Sequence, residues 1–426
     1  MNNRFYSHSF GCRVNQAEKE ELDRQLIQKG YYYSADSPDI YIINTCSVTH
    51  KADREARQLI YQVKRAHPEA KLVVTGCAAT NWIKHKVEIP EVDYLVDNQN
   101  KEYVASLIDR NLRPAGMKQV ARVTQPEQID KYARSGRIII KIQDGCMRFC
   151  SFCIVPYLRG LPKSVPMQQI IDSIRAQSPQ EAILTAINTE AYGYDSKEKF
   201  IDLVDRVLAE TTVPRISFGS IHPWSVNDEF LHFYERVQGQ GRLVKFFHIP
   251  LQSGCNKILT LMKRGYTREE FIDRLGRLEK LEPMAFIGTD VIVGYLEETD
   301  ADFEDTYRFL ESSPISKMHI FRFSQRRSTA AYYMAKRLSE PTPAQKSARA
   351  KALADLNKRK YEQFQQKHVG KSFTALILEK REGEYQHALL DNQMPALVKT
   401  DSDRASEIVA VTVNDLKKGQ LLAHLH

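Results

Sequence analysis

Three cysteines fall within eight residues in the stretch GCMRFCSFC, at Cys146, Cys150 and Cys153. A spacing this tight puts three sulfurs on one loop, so the surrounding chain must fold to aim that loop. Structural zinc takes four closed ligands, commonly two CxxC pairs, and no second pair exists here. A dithiol redox motif needs only two thiols, which Cys150 and Cys153 could supply by spacing alone. Three thiols directly after a strand fit a [4Fe–4S] cluster with one iron free of protein thiolate. An open coordination position on a metal is the mark of catalysis. A cluster or zinc ion kept only for folding is the alternative.

The other four cysteines lie at Cys12, Cys46, Cys77 and Cys255. The amino terminus, MNNRFYSHSF, has no basic start, no apolar run of signal length and no cleavage site. No stretch approaches the ~20 apolar residues that span a bilayer. These features predict a cytoplasmic protein with no membrane partner, whose thiols serve as ligands or reactive groups rather than disulfides.

Over residues 1–125 strand and helix alternate. Candidate strands are RFYSHSF (4–10), IYIINT (40–45), KLVVTG (71–76) and DYLVD (93–97), with Asn15 a candidate cap for the helix NQAEKEELDRQLIQKG. Such alternation predicts a parallel sheet with helices on both faces. Cys12, Cys46 and Cys77 each lie within two residues of a candidate strand's carboxyl end. In open parallel sheets ligands bind along that edge, so three distant thiols can meet there.

A linker at 112–136 precedes a second βα series over 137–365. Its six candidate strands are RIIIKIQ, AILTAI, RISFGS, KFFHIPLQ, FIGTDVIVG and KMHIFRFS. Six units are too few for a closed eight-fold barrel and predict an open, partial (β/α)6 barrel, with its site at the strands' carboxyl ends. Over 366–426 short alternating strands predict a small antiparallel barrel of about five strands.

The formal net charge of +8 is unevenly placed. Residues 321–367 hold twelve Lys/Arg against three Asp/Glu, a net of +9, while 366–426 hold eight of each. A basic block in a balanced chain points to a polyanionic partner, RNA or DNA first. The plainer reading is a solvated helix over AQKSARAKALADLNKRKYEQFQQK.

The CxxxCxxC spacing followed by six βα units resembles the radical S-adenosylmethionine superfamily. The boxes SFGCRVNQ, NTCSVT and TGCAATN, with a terminal barrel like the TRAM module, resemble the methylthiotransferase family over nearly the whole chain. That resemblance implies two [4Fe–4S] clusters and S-adenosyl-L-methionine. One cluster is held by Cys146, Cys150 and Cys153, where S-adenosylmethionine binds the free iron and is cleaved to a 5′-deoxyadenosyl radical. The other is held by Cys12, Cys46 and Cys77 and takes part in sulfur delivery. GCRVNQAEKEE is similar to the GCxVNQxE form of enzymes acting on N6-threonylcarbamoyladenosine. The isopentenyladenosine branch more often shows GCxMN, and the ribosomal-protein branch GCPKN. The implied reaction adds a methylthio group to carbon 2 of the adenine at tRNA position 37. The implied partner is the tRNA anticodon loop; the reductant and sulfur source are not identified. The rivals are the isopentenyladenosine and ribosomal-protein aspartate substrates, and a non-catalytic iron–sulfur RNA-binding protein.

The resemblance also marks Phe152, Asn188, Gln252 and Arg264 as cofactor-binding candidates. The alternatives are a core aromatic for Phe152, satisfied loop amides for Asn188 and Gln252, and a surface salt bridge for Arg264. Four positions depart from the family's pattern. Ala186, Glu190 and Glu297 stand where glycine is usual and Leu296 where proline is, which puts the pocket's loop geometry in question. Cys255 is expected to be a bystander, and His222, His248 and His319 to pack or bond loops near the strands.

Overall fold

A computed structural model describes residues 3–112 and 135–426. Most of the linker expected at 112–136 lies outside the described residues. Apolar residues on both sides of the central strands make the first sheet a buried layer. β1 (Arg4–Ser9), β2 (Tyr32–Tyr33), β3 (Ile40–Thr45), β4 (Lys71–Gly76) and β5 (Tyr94–Leu95) run in the order β2-β1-β3-β4-β5. Every pair is parallel. Phe5, Ile42 and Val73 face the helices Arg13–Gln28 and Val104–Asn111. Ile43, Leu72 and Val74 face the helices His50–Ala66 and Cys77–Lys84 on the other side.

This strand order reverses between β1 and β3, the crevice where open parallel sheets bind ligands. Cys46 and Cys77 directly follow β3 and β4. Cys12 follows β1 by three residues, because that strand ends at Ser9. β2 was not expected; it is two residues long, too short to show an alternating pattern. Asn15 does not cap its helix. The helix begins at Arg13 with Cys12 in the cap position, and Asn15 is buried in its first turn.

The second unit uses β6 (Arg137–Asp144), a short β7 (Lys163–Ser164), β8 (Glu181–Ala186), β9 (Arg215–Phe218), β10 (Phe246–His248), β11 (Phe286–Val293) and β12 (Lys317–Arg322). β7 pairs antiparallel with β6. The other six form two parallel sets, β6-β8-β9 and β10-β11-β12, joined through a bridge between Ile216 and Leu243. The result is an open arc of six strands wrapped by helices. Capping boxes at Thr267–Glu270 and Thr299–Asp302 fix where two of those helices start.

β13 (Ser372–Glu382), β14 (Tyr385–Leu390), β15 (Pro395–Lys399), β16 (Ile408–Lys417) and β17 (Gln420–Leu425) close a barrel in the order β13-β14-β15-β17-β16. Four pairs are antiparallel, but β15 and β17 are parallel. A closed ring with an odd number of strands cannot alternate direction at every pair, so one parallel seam is unavoidable.

The basic segment forms a helix over Pro343–Gln366, opened by a Thr342–Gln345 capping box. Part of its charge turns inward. Arg349 is 4% exposed and bonds Glu298 at 2.7 Å and Asp300 at 2.8 Å, and Lys346 is buried against the Phe323 carbonyl. Arg327, Arg337, Lys351 and Lys358 remain exposed. Breaking a buried ion pair from one side typically costs about 3–5 kcal/mol. Arg349→Met should therefore lower the thermal midpoint sharply, and R349M/E298M should recover much of the loss. A single variant as stable as the parent, by calorimetry, would contradict this account.

Candidate metal centres

Each cysteine trio has a left-handed glycine beside it where a Cβ would collide with a neighbour. Gly11 has φ +89°, and a Cβ there would sit 2.6 Å from Cys46 Sγ, so the Cys12 loop closes directly onto Cys46. Gly145 has φ +76°, and its Cβ would meet the Leu161 carbonyl at 2.1 Å. That contact lets the Cys146 amide donate to Gly160 O at 3.1 Å. The rest of the loop is tied from outside. The Ser151 amide donates to Met262 O at 3.0 Å, and Ser151 Oγ bonds Leu261 O and the Tyr295 hydroxyl, both at 2.7 Å.

The sulfurs have polar company of the right sign. Arg264 Nη1 donates to Cys150 Sγ at 3.2 Å, and Asn188 Nδ2 lies 3.8 Å from Cys146 Sγ. Asn98 Nδ2 lies 3.6 Å from Cys77 Sγ. Burial pushes the Cys46 and Cys153 thiols up to about 12. Both need a strong counter-charge to exist as thiolate, and iron binding supplies one while releasing the protons.

The two trios are joined by one short helix, Val155–Arg159, which begins two residues after Cys153. Ile154 and Leu158 pack on Cys77. Lys84 donates to the Tyr157 carbonyl, and Asn98 to that of Leu158. Arg159 has a side chain 1% exposed. It donates to Glu18 at 2.9 Å, Asp144 at 2.7 Å and Asn15 Oδ1 at 2.6 Å. Asn15 in turn donates to the carbonyls of Phe10 at 2.8 Å and Thr45 at 3.0 Å, which flank Cys12 and Cys46. Glu18 also pairs with Lys101 and Lys141. Burial favours its neutral form, but Arg159, Lys101 and Lys141 hold it well below the usual carboxylate range. Three cations against Glu18 and Asp144 leave one positive charge beside the amino-terminal thiols. A second barrel arginine, Arg326, reaches Ser47 Oγ at 2.6 Å and His50 Nδ1 at 3.1 Å, just past Cys46.

A cavity of about 150 Å³ opens beside Cys153, where the loop after Cys46 meets the barrel. Val48 and Thr49 from the Cys46 side line it together with Phe152 and Cys153, and Gln252 and Phe321 complete the wall. Ser324 Oγ, on the same lining, is buried without a hydrogen-bond partner.

The donor sets fit clusters better than single ions. Among the described residues, neither trio brings its three sulfurs within 4.8 Å of one another, as ligands of one ion would be. Cysteines at separate corners of a four-iron cluster need that wider spacing.

Arg264 is no surface salt bridge. It is 4% exposed, donates to Pro250 O at 3.1 Å and lies 4.6 Å from the Trp224 ring centroid. Asn188 is buried at the end of β8, and its Oδ1 accepts from the Glu190 amide at 3.3 Å. Gln252 adopts φ +77°, with its amide on Asp290 O at 2.8 Å. Phe152 packs at the edge of a cluster containing Met262 and Tyr295. Cys255 donates to Asp302 at 3.4 Å.

The departures are accommodated locally. Glu297 keeps a left-handed φ of +59°, its amide on Ser339 O at 2.9 Å and its carboxylate taking the Ser339 hydroxyl at 2.9 Å. Leu296 is fully buried beside Tyr295. Glu190 pairs with Arg148, whose guanidinium stacks 4.3 Å from the Trp224 centroid. Ala186 is buried in the barrel core. Arg159 and Arg326 carry no spacing or box that singles them out in the sequence, and Asn15, expected as a cap, instead ties Arg159 to the carbonyls of Phe10 and Thr45.

Residues 4–97 match the uncharacterized protein family UPF0004, and residues 140–310 match the radical SAM superfamily. A threonylcarbamoyladenosine tRNA methylthiotransferase of Aquifex aeolicus is 35% identical over 87% of this chain and 92% of its own length. The Bacillus subtilis enzyme of the same name is 33% identical over 97% of this chain and 93% of its own. A tRNA-2-methylthio-N(6)-dimethylallyladenosine synthase of Helicobacter pylori is 30% identical over 98% of each. Among solved structures, the radical S-adenosylmethionine methyltransferase TsrM from Kitasatospora setae shares the fold, with a TM-score of 0.52 and 16% identity. It covers 76% of this chain and 75% of its own. The two matched regions hold one cysteine trio each, and the chain belongs to the radical S-adenosylmethionine tRNA methylthiotransferases, a family of transferases.

Proposed function

We propose that this enzyme places a methylthio group on carbon 2 of N6-threonylcarbamoyladenosine at position 37 of tRNA, with one [4Fe–4S] cluster on each cysteine trio. The observation that carries this reading is the shared cavity, whose lining comes from both trios' loops. When bound, the clusters and S-adenosylmethionine supply a carbon-centred radical and a methylated sulfur. Hydrogen on carbon 2 of adenine is not acidic, so acid–base side chains alone could not remove it. The Aquifex and Bacillus relatives, named for threonylcarbamoyladenosine, support the choice of nucleoside.

The protein's own groups bind, orient and exclude water. Asn188 and Arg264, placed on the Cys146 and Cys150 sulfurs, hold the loop trio and its cofactor side. Phe152 and Gln252 offer an aromatic face and an amide to the adenosyl moiety and the base. The Arg159 network fixes the amino-terminal trio against the barrel. We assign the parts to 1–125 for the sulfur-delivering cluster, 137–365 for radical generation and 366–426 for the terminal barrel. An anticodon loop presents splayed, unstacked bases, the form in which proteins read RNA. The exposed arginines and lysines around Arg327 and Lys351 supply charge for its phosphates. Among the described residues, no helix is long and apolar enough to cross a membrane.

Replacing Cys146, Cys150 and Cys153 with alanine should abolish S-adenosylmethionine cleavage. Replacing Cys12, Cys46 and Cys77 should preserve cleavage and stop methylthiolation. After anaerobic reconstitution each set should retain about four irons against about eight in the parent. Loss of cleavage in both sets would contradict separate roles. Nucleoside mass spectrometry of tRNA from cells lacking the gene should show loss of the methylthio mark on threonylcarbamoyladenosine alone. An unchanged spectrum would overturn the reading.

A further inference from the structure

The wall built from β10, β11 and β12 carries a polar array for which radical generation has no use. His248 Nε2 lies 3.1 Å from Asp290 Oδ1, and His319 Nδ1 lies 3.3 Å from the same oxygen. The two imidazole centroids are 5.2 Å apart. Ser220 Oγ bonds His248 Nδ1 at 2.9 Å, so both ring nitrogens of His248 are engaged. His319 differs. Its side chain is 57% exposed, and among the described residues nothing engages its Nε2. Each of the three residues stands on a different strand, so the array is held by rigid backbone rather than by a loop.

Strand register places this array relative to the cavity. Asp290 pairs with His319, and Ile292 with Phe321. Side chains two apart share a face of a strand, so the polar pair lies one step, roughly 6–7 Å, below the apolar pair. Asp290, Ile292 and Phe321 line the same cavity as Phe152 and Cys153. The apolar pair sits at the strands' carboxyl ends, next to the cysteines. In adenine, carbon 2 and carbon 6 both flank N1 on one edge, so a base with carbon 2 toward the trios keeps N6 close to the same wall. A threonylcarbamoyl chain several bonds long spans the one strand step to Asp290 and His319.

We propose that His319, oriented through Nδ1 by Asp290, presents Nε2 as the subsite for the polar threonylcarbamoyl substituent on N6. The proposal rests on the nucleoside reading above and names what recognises it. A carboxylate partner fixes which imidazole nitrogen faces inward and leaves the other to the ligand. The threonyl group offers a hydroxyl and a carboxylate, both able to bond an imidazole. An isopentenyl group offers neither and would leave these polar groups unsatisfied, and sites built on hydrogen bonds discriminate strongly against substrates that cannot make them. The competing explanation is a histidine–aspartate contact that merely stiffens the strand pair.

The test uses reconstituted full-length enzyme and one tRNA prepared in two forms, with threonylcarbamoyladenosine or isopentenyladenosine at position 37. Steady-state kcat and KM are measured for the parent, His319→Phe and His319→Gln, with thermal midpoints alongside. His319→Phe should raise KM for the threonylcarbamoyl tRNA about tenfold or more, with a much smaller change in kcat, and should narrow the preference between the two tRNAs. His319→Gln, which can still hydrogen-bond, should recover most of the KM. A parent enzyme that requires threonylcarbamoyladenosine, with an unchanged KM in His319→Phe, keeps the nucleoside reading and overturns the subsite. So does a fall in kcat matched by an equal loss of thermal stability. A parent enzyme acting on isopentenyladenosine alone overturns both. A metal ion bound stoichiometrically beyond the cluster iron, and lost in His319→Phe, would assign the array to an ion and overturn the subsite.

Discussion

The bond from Arg159 to Glu18 and Asn15 is the interaction on which the rest of this molecule depends. Arg159 belongs to the barrel, whereas Glu18 and Asn15 belong to the first helix of the amino-terminal sheet. A guanidinium removed from water costs several kcal/mol unless its donors are met. Here carboxylates from both units and an amide meet them. The amide then holds the carbonyls beside Cys12 and Cys46. A short helix thus passes the position of one cysteine trio to the other. Surplus positive charge is left where thiolates and a cluster core would carry negative charge.

That arrangement places a cavity at the junction of the two units. The barrel alone provides Phe152, Gln252 and Phe321, and the sheet alone provides Val48 and Thr49. Neither half encloses the space. Arg326, bonded to Ser47 and His50, closes the same junction from the opposite side. Arg13 reaches back from the sheet's first helix to the Phe218 carbonyl at the end of β9. The cavity is therefore a product of the interface between the two units.

What could be read in the sequence was what local pattern encodes. Strand runs such as KLVVTG and the terminal alternation pointed to the parallel amino-terminal sheet, the open six-strand arc and the closed terminal barrel. What escaped was set by distant partners. The LMKRGYT box marked Arg264 as a cofactor-binding candidate, yet nothing near it announces Cys150 or Trp224 as its partners. Asn15 looked like a cap because its real partners are thirty residues or more away along the chain, apart from Phe10. The basic segment pointed to a polyanionic partner along its whole length, because Glu298 and Asp300, which bond Arg349, lie about fifty residues before it in the chain. Glycine was missing at position 297, yet the left-handed turn survived because Ser339 clamps Glu297.

With one cluster on each trio, as proposed, two three-cysteine clusters lie close to the cavity lined by Cys153 and by Val48 and Thr49. The most direct measurement is the electron paramagnetic resonance spectrum of the fully reduced enzyme. It is compared with the sum of spectra from variants that keep only Cys12, Cys46 and Cys77 or only Cys146, Cys150 and Cys153. Adjacent paramagnetic clusters should interact, so the parent spectrum should show broadening or splitting absent from the sum. A parent spectrum equal to the sum would place the clusters far apart and contradict the account.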